Sequence, residues 1–397
     1  MTPSLSNERE LYVAPGGPSY RFLQRISRTD KGVRSVVRRI IVLLLITWVP
    51  MCVLAIVQGF ALGETPRESF LLDFATYARF FVGIPILVFA ENIIGARLRQ
   101  AGLQFVRDGI VGTEDYPVFE RAIAGLAQRR ESVVATLVIA ALAVFGAWNL
   151  TFESARGVAG VGWQSVVLPE GHASRYSLAG IWNHVVAVPV LLFLWYRWLW
   201  RILFWTLFLR DVAKLNLRLV PTHADSAGGL SFLADAHTSF GTLAFAVGSV
   251  FSAQAAFQVI YEGASLKVFQ TPVIVVLLAI EVLFLGPLLV FSPTMGRIRR
   301  SALKSYGSLL VRYSRGFQEK WIDSPSPPDE QLLGSSDIQS LTDMGASFRL
   351  IKEMGLTPFG RRAIIHLAVA TFLPSLPLLL LVVPIEEIIQ VVAKVVN

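Results

Sequence analysis

The sequence predicts an all-α protein, a polytopic helical membrane bundle with seven transmembrane helices and a cytoplasmic N-terminus. Three observations predict it. The chain of 397 residues is 54% hydrophobic and only 16% charged, and its mean hydropathy is +0.57, which is too apolar for an ordinary soluble protein. Windows of about 20 apolar residues, enough to cross a hydrocarbon core of about 30 Å, recur along the chain. Lysine and arginine concentrate in every second one of the segments that separate these windows.

Seven windows meet the length requirement for a membrane-spanning helix. They cover residues 40–62, 74–95, 133–152, 178–208, 240–261, 272–293 and 364–385. The second window is the weakest because Arg79 and Glu91 interrupt it. The fourth ends in the block "WYRWLWRILFW" (195–205), whose tryptophans and arginines predict a belt at the level of the lipid headgroups.

The last window differs from the others because it contains three prolines, Pro374, Pro377 and Pro384. Prolines of this kind kink a membrane helix or mark a re-entrant turn. We expect the window to span the membrane, which places an interfacial helix over residues 385–397 outside. Re-entry would instead place that helix on the cytoplasmic face.

The basic residues orient the bundle. With the N-terminus inside, thirty of the 36 lysines and arginines lie on the inner side, in segments 1–39, 96–132, 197–218 and 294–363. The other six are Arg67, Arg79, Arg156, Arg175, Lys267 and Lys394. The positive-inside rule therefore predicts a cytoplasmic N-terminus. The net charge of +8 is explained by topology, so we expect no nucleic-acid partner.

The chain divides into four parts. They are a basic cytoplasmic tail (1–39), a six-helix transmembrane region (40–293), a cytoplasmic helical segment (294–363), and the Pro-rich seventh span with a C-terminal amphipathic helix (364–397). The single cysteine, Cys52, excludes an intramolecular disulfide and a cysteine-based metal cluster. We find no Walker loop, Rossmann fingerprint or nucleophile elbow, so the sequence predicts neither a catalytic residue nor a cofactor.

The cytoplasmic segment predicts two helices. An apolar face recurs at spacings of three and four residues through Leu303, Tyr306, Leu310, Tyr313, Phe317 and Trp321. After the linker "DSPSPPDE", a second helix begins with Ser336 as its cap and Gln339 as the capping-box partner, and it stops near Gly355. We expect the two helices to pack on each other or on a neighbouring subunit.

The stretch "VPTHADSAGGLSFLADAH" (220–237) allows three interpretations. It is a turn in which Asp225 or Ser226 caps the following helix. Alternatively, His223, Asp225, Asp235 and His237 hold a divalent metal, although their spacing matches no established zinc site. In the third interpretation, the amides of Gly228 and Gly229 bind an anion together with nearby Arg210, Lys214 and Arg218.

Polar residues at membrane depth are candidates for a transport site, because burying them in hydrocarbon is costly. A rise of about 1.5 Å per residue places several of them in the outer half of the bundle, within about 14 Å of its outer boundary. This polar layer comprises Glu281, Arg79, His184, Asn183, Gln254 and Gln258. If they face one another, Arg79 or protonated His184 neutralises Glu281 in an outward-facing cavity. Otherwise each of these polar side chains forms a hydrogen bond with a neighbouring helix.

The fifth window carries small residues every four positions, Ala244, Gly248, Ser252 and Ala256. Such a ladder predicts close helix packing, either within the bundle or in a homo-oligomer.

Three segments resemble a group of uncharacterised bacterial multi-span inner-membrane proteins. They are "HADSAGGL" at 223–230, "LGSSDIQSL" at 333–341 and the proline-rich last window ending in "PIEE". The resemblance covers roughly the second half of the chain, and Ala224 departs from it where that group often has proline. It implies a bacterial inner membrane and no particular activity.

The sequence therefore favours a transporter or channel for a small solute or ion in the lipid bilayer, with Glu281 as its proton- or cation-responsive group. One alternative is a non-catalytic scaffold or sensor that binds a cytoplasmic protein partner through its two cytoplasmic helices. Another is an intramembrane enzyme acting on lipid, with the His/Asp group of 220–237 as its site.

Overall fold

The structure, a computed structural model, describes residues 33–153, 162–167, 174–324 and 335–378. Almost all of these residues are helical. Long runs of leucine, isoleucine, valine and phenylalanine favour helices here because a helix satisfies its own backbone hydrogen bonds within hydrocarbon. The prediction of an all-α fold is confirmed for this part of the chain.

Eleven labelled helices and two short strands follow one another along the described ranges. The first six elements are α1 (Val33–Val57), α2 (Phe74–Arg107), α3 (Tyr116–Arg130), α4 (Val133–Glu153), β1 (Ser165–Val167) and β2 (Ser174–Tyr176). The remainder are α5 (Leu178–Ala213), α6 (Ser231–Thr238), α7 (Gly241–Glu262), α8 (Gln270–Leu285), α9 (Ser292–Trp321), α10 (Ser336–Glu353) and α11 (Arg361–Phe372). The two strands pair antiparallel, with Val166 opposite Arg175.

Among the described residues, five helical stretches are long and apolar enough to cross a membrane. These are α1, α2, α5, the stretch from α6 through α7, and the stretch 266–321 that includes α8 and α9. A sixth candidate is the pair α3 and α4, which bends by 48° at its break. The predicted count of seven is therefore not reached within the described ranges. The chain is compatible with a multi-pass membrane protein of five or six spans.

The bundle packs around α2 and α5, whose facing sides form most of the core. α1 contacts both of them, α3 and α4 lie against α5, and α7 packs on the first part of α2 and on α11. Rings such as Phe105, Phe119 and Phe208 are fully buried between these helices. Leucines and valines on α4 stay exposed, as expected for a surface that faces lipid.

α9 continues for 30 residues from the bundle and packs on α10, so the two predicted cytoplasmic helices do contact each other. Lys320 Nζ and Trp321 Nε1 both donate to the Asp337 carboxylate, at 2.8 and 3.0 Å. The cap prediction was wrong by one residue. Ser335 rather than Ser336 caps α10, because its hydroxyl accepts the backbone N–H of Asp337 at 3.1 Å.

The seventh window begins with α11 and continues through a short 3₁₀ turn, Leu373–Ser375. The window from residue 379 onward, with the predicted C-terminal helix of 385–397, lies outside the described residues, as does the basic tail before residue 33.

Candidate functional site

A buried ionic cluster joins three helices around one carboxylate. Glu91 Oε2 lies 2.9 Å from Arg39 Nη1 of α1. Glu91 Oε1 lies 3.1 Å from Arg197 Nη2 and 2.9 Å from Arg201 Nη1, both on α5. None of the four side chains is more than 9% exposed. We call these four residues the arginine cluster.

The local sequence explains how α5 supplies two of the arginines. Arg197 and Arg201 are four residues apart, so both point from one face of the helix. Trp198 lies beside them, is fully buried and donates its indole N–H to the Leu87 carbonyl at 2.9 Å, which fixes α5 on α2. The Arg201 guanidinium lies over the Trp198 ring, 5.0 Å from its centroid.

The arginine cluster is not neutral. Arginine keeps its proton in proteins, so Arg197 and Arg201 alone already set two buried cations against the one carboxylate of Glu91, which Arg39 also contacts. Arg201 Nη1 is at ion-pair distance from Glu91 without a hydrogen bond to it, and neither Nη1 nor Nη2 of Arg201 finds a hydrogen-bond partner among the described residues. Buried donors without acceptors are rare in proteins.

The sequence indicated a different role for this region. The block 195–205 was expected to face the headgroups as a belt, but Trp198, Trp205, Arg197 and Arg201 are buried. In the sequence, Glu91 stands out only because it interrupts the second window. The available signal was the four-residue spacing of the two arginines, opposite a carboxylate in another window.

A second polar group lies at the end of the bundle where β1 and β2 are found. Asp73 caps the start of α2, where its carboxylate accepts the backbone N–H of Thr76 at 3.1 Å and the indole N–H of Trp163 at 2.9 Å. Arg79 Nη2 lies 4.0 Å from Asp73 Oδ2. His184 contacts the Tyr176 ring edge to face, with centroids 5.0 Å apart.

The helices carrying these polar residues are irregular there. α2 is π-helical over Ala78–Gly83, which includes Arg79, and α5 is π-helical over Asn183–Ala187, which includes His184. π-helical turns are rare and frequently occur at functional sites. Asn183 is buried and donates to Gln164 at 3.5 Å.

The other members of the predicted polar layer lie apart from this group. Both carboxylate oxygens of Glu281 are buried without a hydrogen-bond partner among the described residues, and no ion pair there joins Glu281 to Arg79 or His184. Gln254 is exposed and Gln258 is half-buried on α7. The structure therefore brings Arg79, Asn183 and His184 to one end of the bundle, without the expected contact to Glu281.

The loop before α6 is built around Asp225. The backbone N–H groups of Ala227, Gly229 and Ser231 donate to its carboxylate at 2.8, 3.1 and 3.1 Å. Gly228 and Gly229 adopt left-handed φ values of 67° and 94°, which turn the chain around this carboxylate. Of the two glycine amides predicted to bind an anion, that of Gly229 binds the loop's own carboxylate.

The four predicted metal ligands do not converge. His223 Nδ1 lies 2.8 Å from Asp225 Oδ1, but Asp235 is exposed on α6. His237 is fully buried, where Nε2 accepts the Trp205 indole N–H at 3.0 Å and Nδ1 contacts the Phe284 carbonyl. Both imidazole nitrogens are therefore engaged. Within the described ranges, no group of three or more His, Cys, Asp or Glu side chains is arranged to hold a metal ion.

The loop also contacts the residues that directly follow α10. The backbone N–H of Gly355, just after α10, donates to the Ser226 carbonyl at 2.7 Å. A Cβ atom on Gly228 would lie 3.0 Å from the Met354 methyl group, so the glycine permits this close approach. The position of α10 therefore depends on the conformation that Asp225 holds.

Replacing Asp225 by alanine is expected to lower the stability of the folded protein by about 1–3 kcal/mol, the usual cost of leaving backbone donors without their acceptor. Asp225→Asn keeps one acceptor oxygen and is expected to cost less. Thermal unfolding in detergent measures both variants. Equal melting temperatures for wild type and Asp225→Ala would show that this carboxylate does not stabilise the loop.

The same carboxylate predicts a pH dependence. Burial raises the pKa of Asp225, but the hydrogen bonds from Ala227, Ser231 and Gly229 and the contact with His223 lower it more, so the net pKa lies below its ordinary value of 3.8. A depressed folded-state pKa means that the stabilisation is complete above the unfolded pKa and is lost as the pH falls through the folded pKa. We expect the stability difference between wild type and Asp225→Asn to shrink below about pH 4. A difference independent of pH would contradict this.

The small-residue ladder of α7 packs within the chain. A Cβ atom on Gly248 would lie 2.9 Å from the carbonyl carbon of Thr371 at the end of α11. Ser252 donates its hydroxyl to the Pro374 carbonyl at 3.0 Å. Ala244 is fully buried, and Ala256 lines a pocket with Pro374 and Pro377. The described part of the seventh window thus covers the ladder.

No protein-family model, curated protein or solved structure matches the chain.

Proposed function

We propose that the protein is a transporter or channel for a small solute or ion in a bacterial inner membrane, with its N-terminus in the cytoplasm. Its apolar helices are compatible with an integral multi-pass membrane protein. The orientation follows from the positions of lysine and arginine, thirty of which fall on one side of the threaded chain. In that orientation, β1 and β2 lie outside and α9 and α10 lie inside.

The single observation that carries the proposal is a half-buried histidine with both ring nitrogens buried, on an irregular helical turn. His184 lies within the π-helical turn of α5, and neither of its ring nitrogens has a hydrogen-bond partner among the described residues. Arg79 occupies the corresponding π-helical turn of α2. Unsatisfied polar groups at membrane depth are costly, and they mark ion or proton pathways in many membrane proteins. We therefore assign Arg79, Asn183 and His184 to the outer part of the pathway.

Glu281 is the second proposed element. Its carboxylate lies in α8 with no hydrogen-bond partner among the described residues. The helix is interrupted about one turn after Glu281, since the α-helix ends at Leu285 and a 3₁₀ segment, Gly286–Phe291, follows with Pro287 near its start. Motion at this break is the proposed route by which Glu281 exchanges a proton or cation with the polar end of the bundle.

Reconstitution into liposomes tests the proposal. Vesicles loaded with a pH-sensitive dye and exposed to gradients of protons, sodium, potassium or chloride are expected to show protein-dependent flux that varies with pH. Glu281→Gln is expected to abolish the pH dependence, and His184→Gln is expected to reduce the flux. Glu319→Gln, on the exposed surface of α9, serves as the matched control and is expected to behave as wild type.

Two outcomes would contradict the proposal at different levels. pH-dependent flux that persists unchanged in Glu281→Gln would remove Glu281 from the mechanism. An absence of protein-dependent flux for all four ions would remove the transport of these ions as the function.

A further inference from the structure

The arginine cluster has more positive charge and more donors than its single carboxylate can satisfy. Each guanidinium offers five N–H donors, whereas one carboxylate offers about four acceptor sites. Transferring an unpaired cation into a protein interior costs several kcal/mol. Arg197 and Arg201, at most 9% exposed, share the single carboxylate of Glu91, so their two positive charges call for a further anionic counterpart.

Arg201 shows where that counterpart would bind. Its guanidinium is 5% exposed, and Nη1 and Nη2 are both buried without a hydrogen-bond partner among the described residues. The plane of this group is fixed, because it lies over the Trp198 ring and Trp198 is itself tied to the Leu87 carbonyl. Arg201 therefore presents an oriented pair of donors beside Glu91.

The other arginines converge on the same point from two sides. Arg39 reaches Glu91 from α1, and Arg197 reaches it from one turn earlier on α5. Glu91 holds the three guanidiniums together, which would otherwise repel one another. Planar guanidinium forks match the oxygen geometry of both phosphate and carboxylate.

We propose that the arginine cluster binds a phosphate-type oxyanion, with Arg201 as its principal ligand and Glu91 as the residue that positions the arginines. A phosphate group would supply the negative charge that Arg197 and Arg201 lack beside Glu91. Arg39 precedes the apolar window that starts at residue 40, so the cluster lies where a span meets the headgroup region. Both a phospholipid headgroup and free phosphate supply this chemistry. The inference does not depend on transport.

The test uses the full chain in phosphatidylcholine nanodiscs, with inorganic phosphate as the first probe and phosphatidic acid as the second. The thermal unfolding midpoint of wild type is expected to rise with added probe. Arg201→Gln is expected to weaken the apparent affinity about tenfold or more, because it removes a charged bidentate donor. Arg210→Gln on the same helix is the matched control, since its side chain is 56% exposed, and it is expected to keep wild-type affinity.

The two probes separate the two sources. If inorganic phosphate raises the unfolding midpoint and Arg201→Gln weakens this response, the ligand is assigned as a free anion. A response only to discs containing phosphatidic acid, again weakened in Arg201→Gln, assigns a lipid headgroup. If Arg201→Gln does not fold, Arg201→Lys is used instead, because it keeps the positive charge but lacks the bidentate guanidinium. Its apparent affinity is compared with that of wild type in the same way. A midpoint that responds to neither probe, or responds equally in wild type and the Arg201 variant, overturns the proposal.

Discussion

Replacing Glu91 by glutamine is expected to destabilise the folded protein by about 3–5 kcal/mol, the cost of breaking a buried ion pair by removing one partner. The substitution keeps the shape of the side chain but removes the one carboxylate with which Arg39, Arg197 and Arg201 pair in this cluster. It also removes the ion pairs through which Glu91 of α2 joins α1 and α5. We expect this to be among the largest single-site effects in the described part of the chain.

Thermal unfolding in detergent measures the effect of Glu91→Gln. Glu114→Gln is the control, because Glu114 also pairs with an arginine, Arg218, at 2.9 Å, but both side chains are more than half exposed. Exposed pairs contribute little to stability, so this variant is expected to unfold like wild type. The double variant Glu91→Gln with Arg201→Gln lowers the buried charge and is expected to recover part of the loss. A Glu91→Gln protein as stable as wild type would show that the cluster is not a structural ion pair.

The helical architecture was predictable because hydrophobicity and helix length are local properties. The windows for α1, α2, α5 and α7 agree with the observed helices in position, and the apolar stripe of α9 packs on α10 as its spacing indicated. The number of spans was not predictable in the same way. Whether α3 and α4 form one broken span or two separate helices depends on a 48° bend at residues 131–132, and hydropathy carries no information about bends.

The arginine cluster was missed because its contacts are long-range. Glu91 is separated by 52 positions from Arg39 and by 106 from Arg197. Each of these residues had a sufficient local explanation, as part of a basic tail, a weak span or an aromatic belt. Only the packing of three helices shows that the four side chains occupy one site.

The loop around Asp225 illustrates a different limit. Its sequence correctly indicated backbone amides turned inward by glycines, which is the geometry that binds anions. It also indicated Asp225 or Ser226 as the cap of the following helix, but Leu230 occupies the cap position, and Asp225 reaches only the backbone N–H of Ser231, the first residue of that helix. The carboxylate of Asp225 is itself the group that the inward amides bind. Sequence patterns identify a loop whose backbone amides point inward, but they do not identify the anion that these amides bind.

Replacing Gly248 by alanine is expected to destabilise the protein by about 1–3 kcal/mol or more, the usual range for overpacking a close contact. The added Cβ atom would meet the backbone of Thr371, lying 2.9 Å from its carbonyl carbon and 3.2 Å from its Cα. A backbone cannot turn aside as a flexible side chain can, so α11 must move away from α7. The hydrogen bond from Ser252 to the Pro374 carbonyl is expected to be lost with it.

Gly316→Ala provides a control of opposite sign. Gly316 lies in α9, and a Cβ atom there would meet nothing within 4 Å. Alanine exceeds glycine in helix propensity by about 0.8–1.0 kcal/mol, so this variant is expected to be more stable than wild type. Because α11 covers the ladder within one chain, Gly248→Ala should lower the melting temperature without changing self-association, as measured by light scattering in detergent. A change in self-association at constant stability would instead place a second copy of the chain on the ladder.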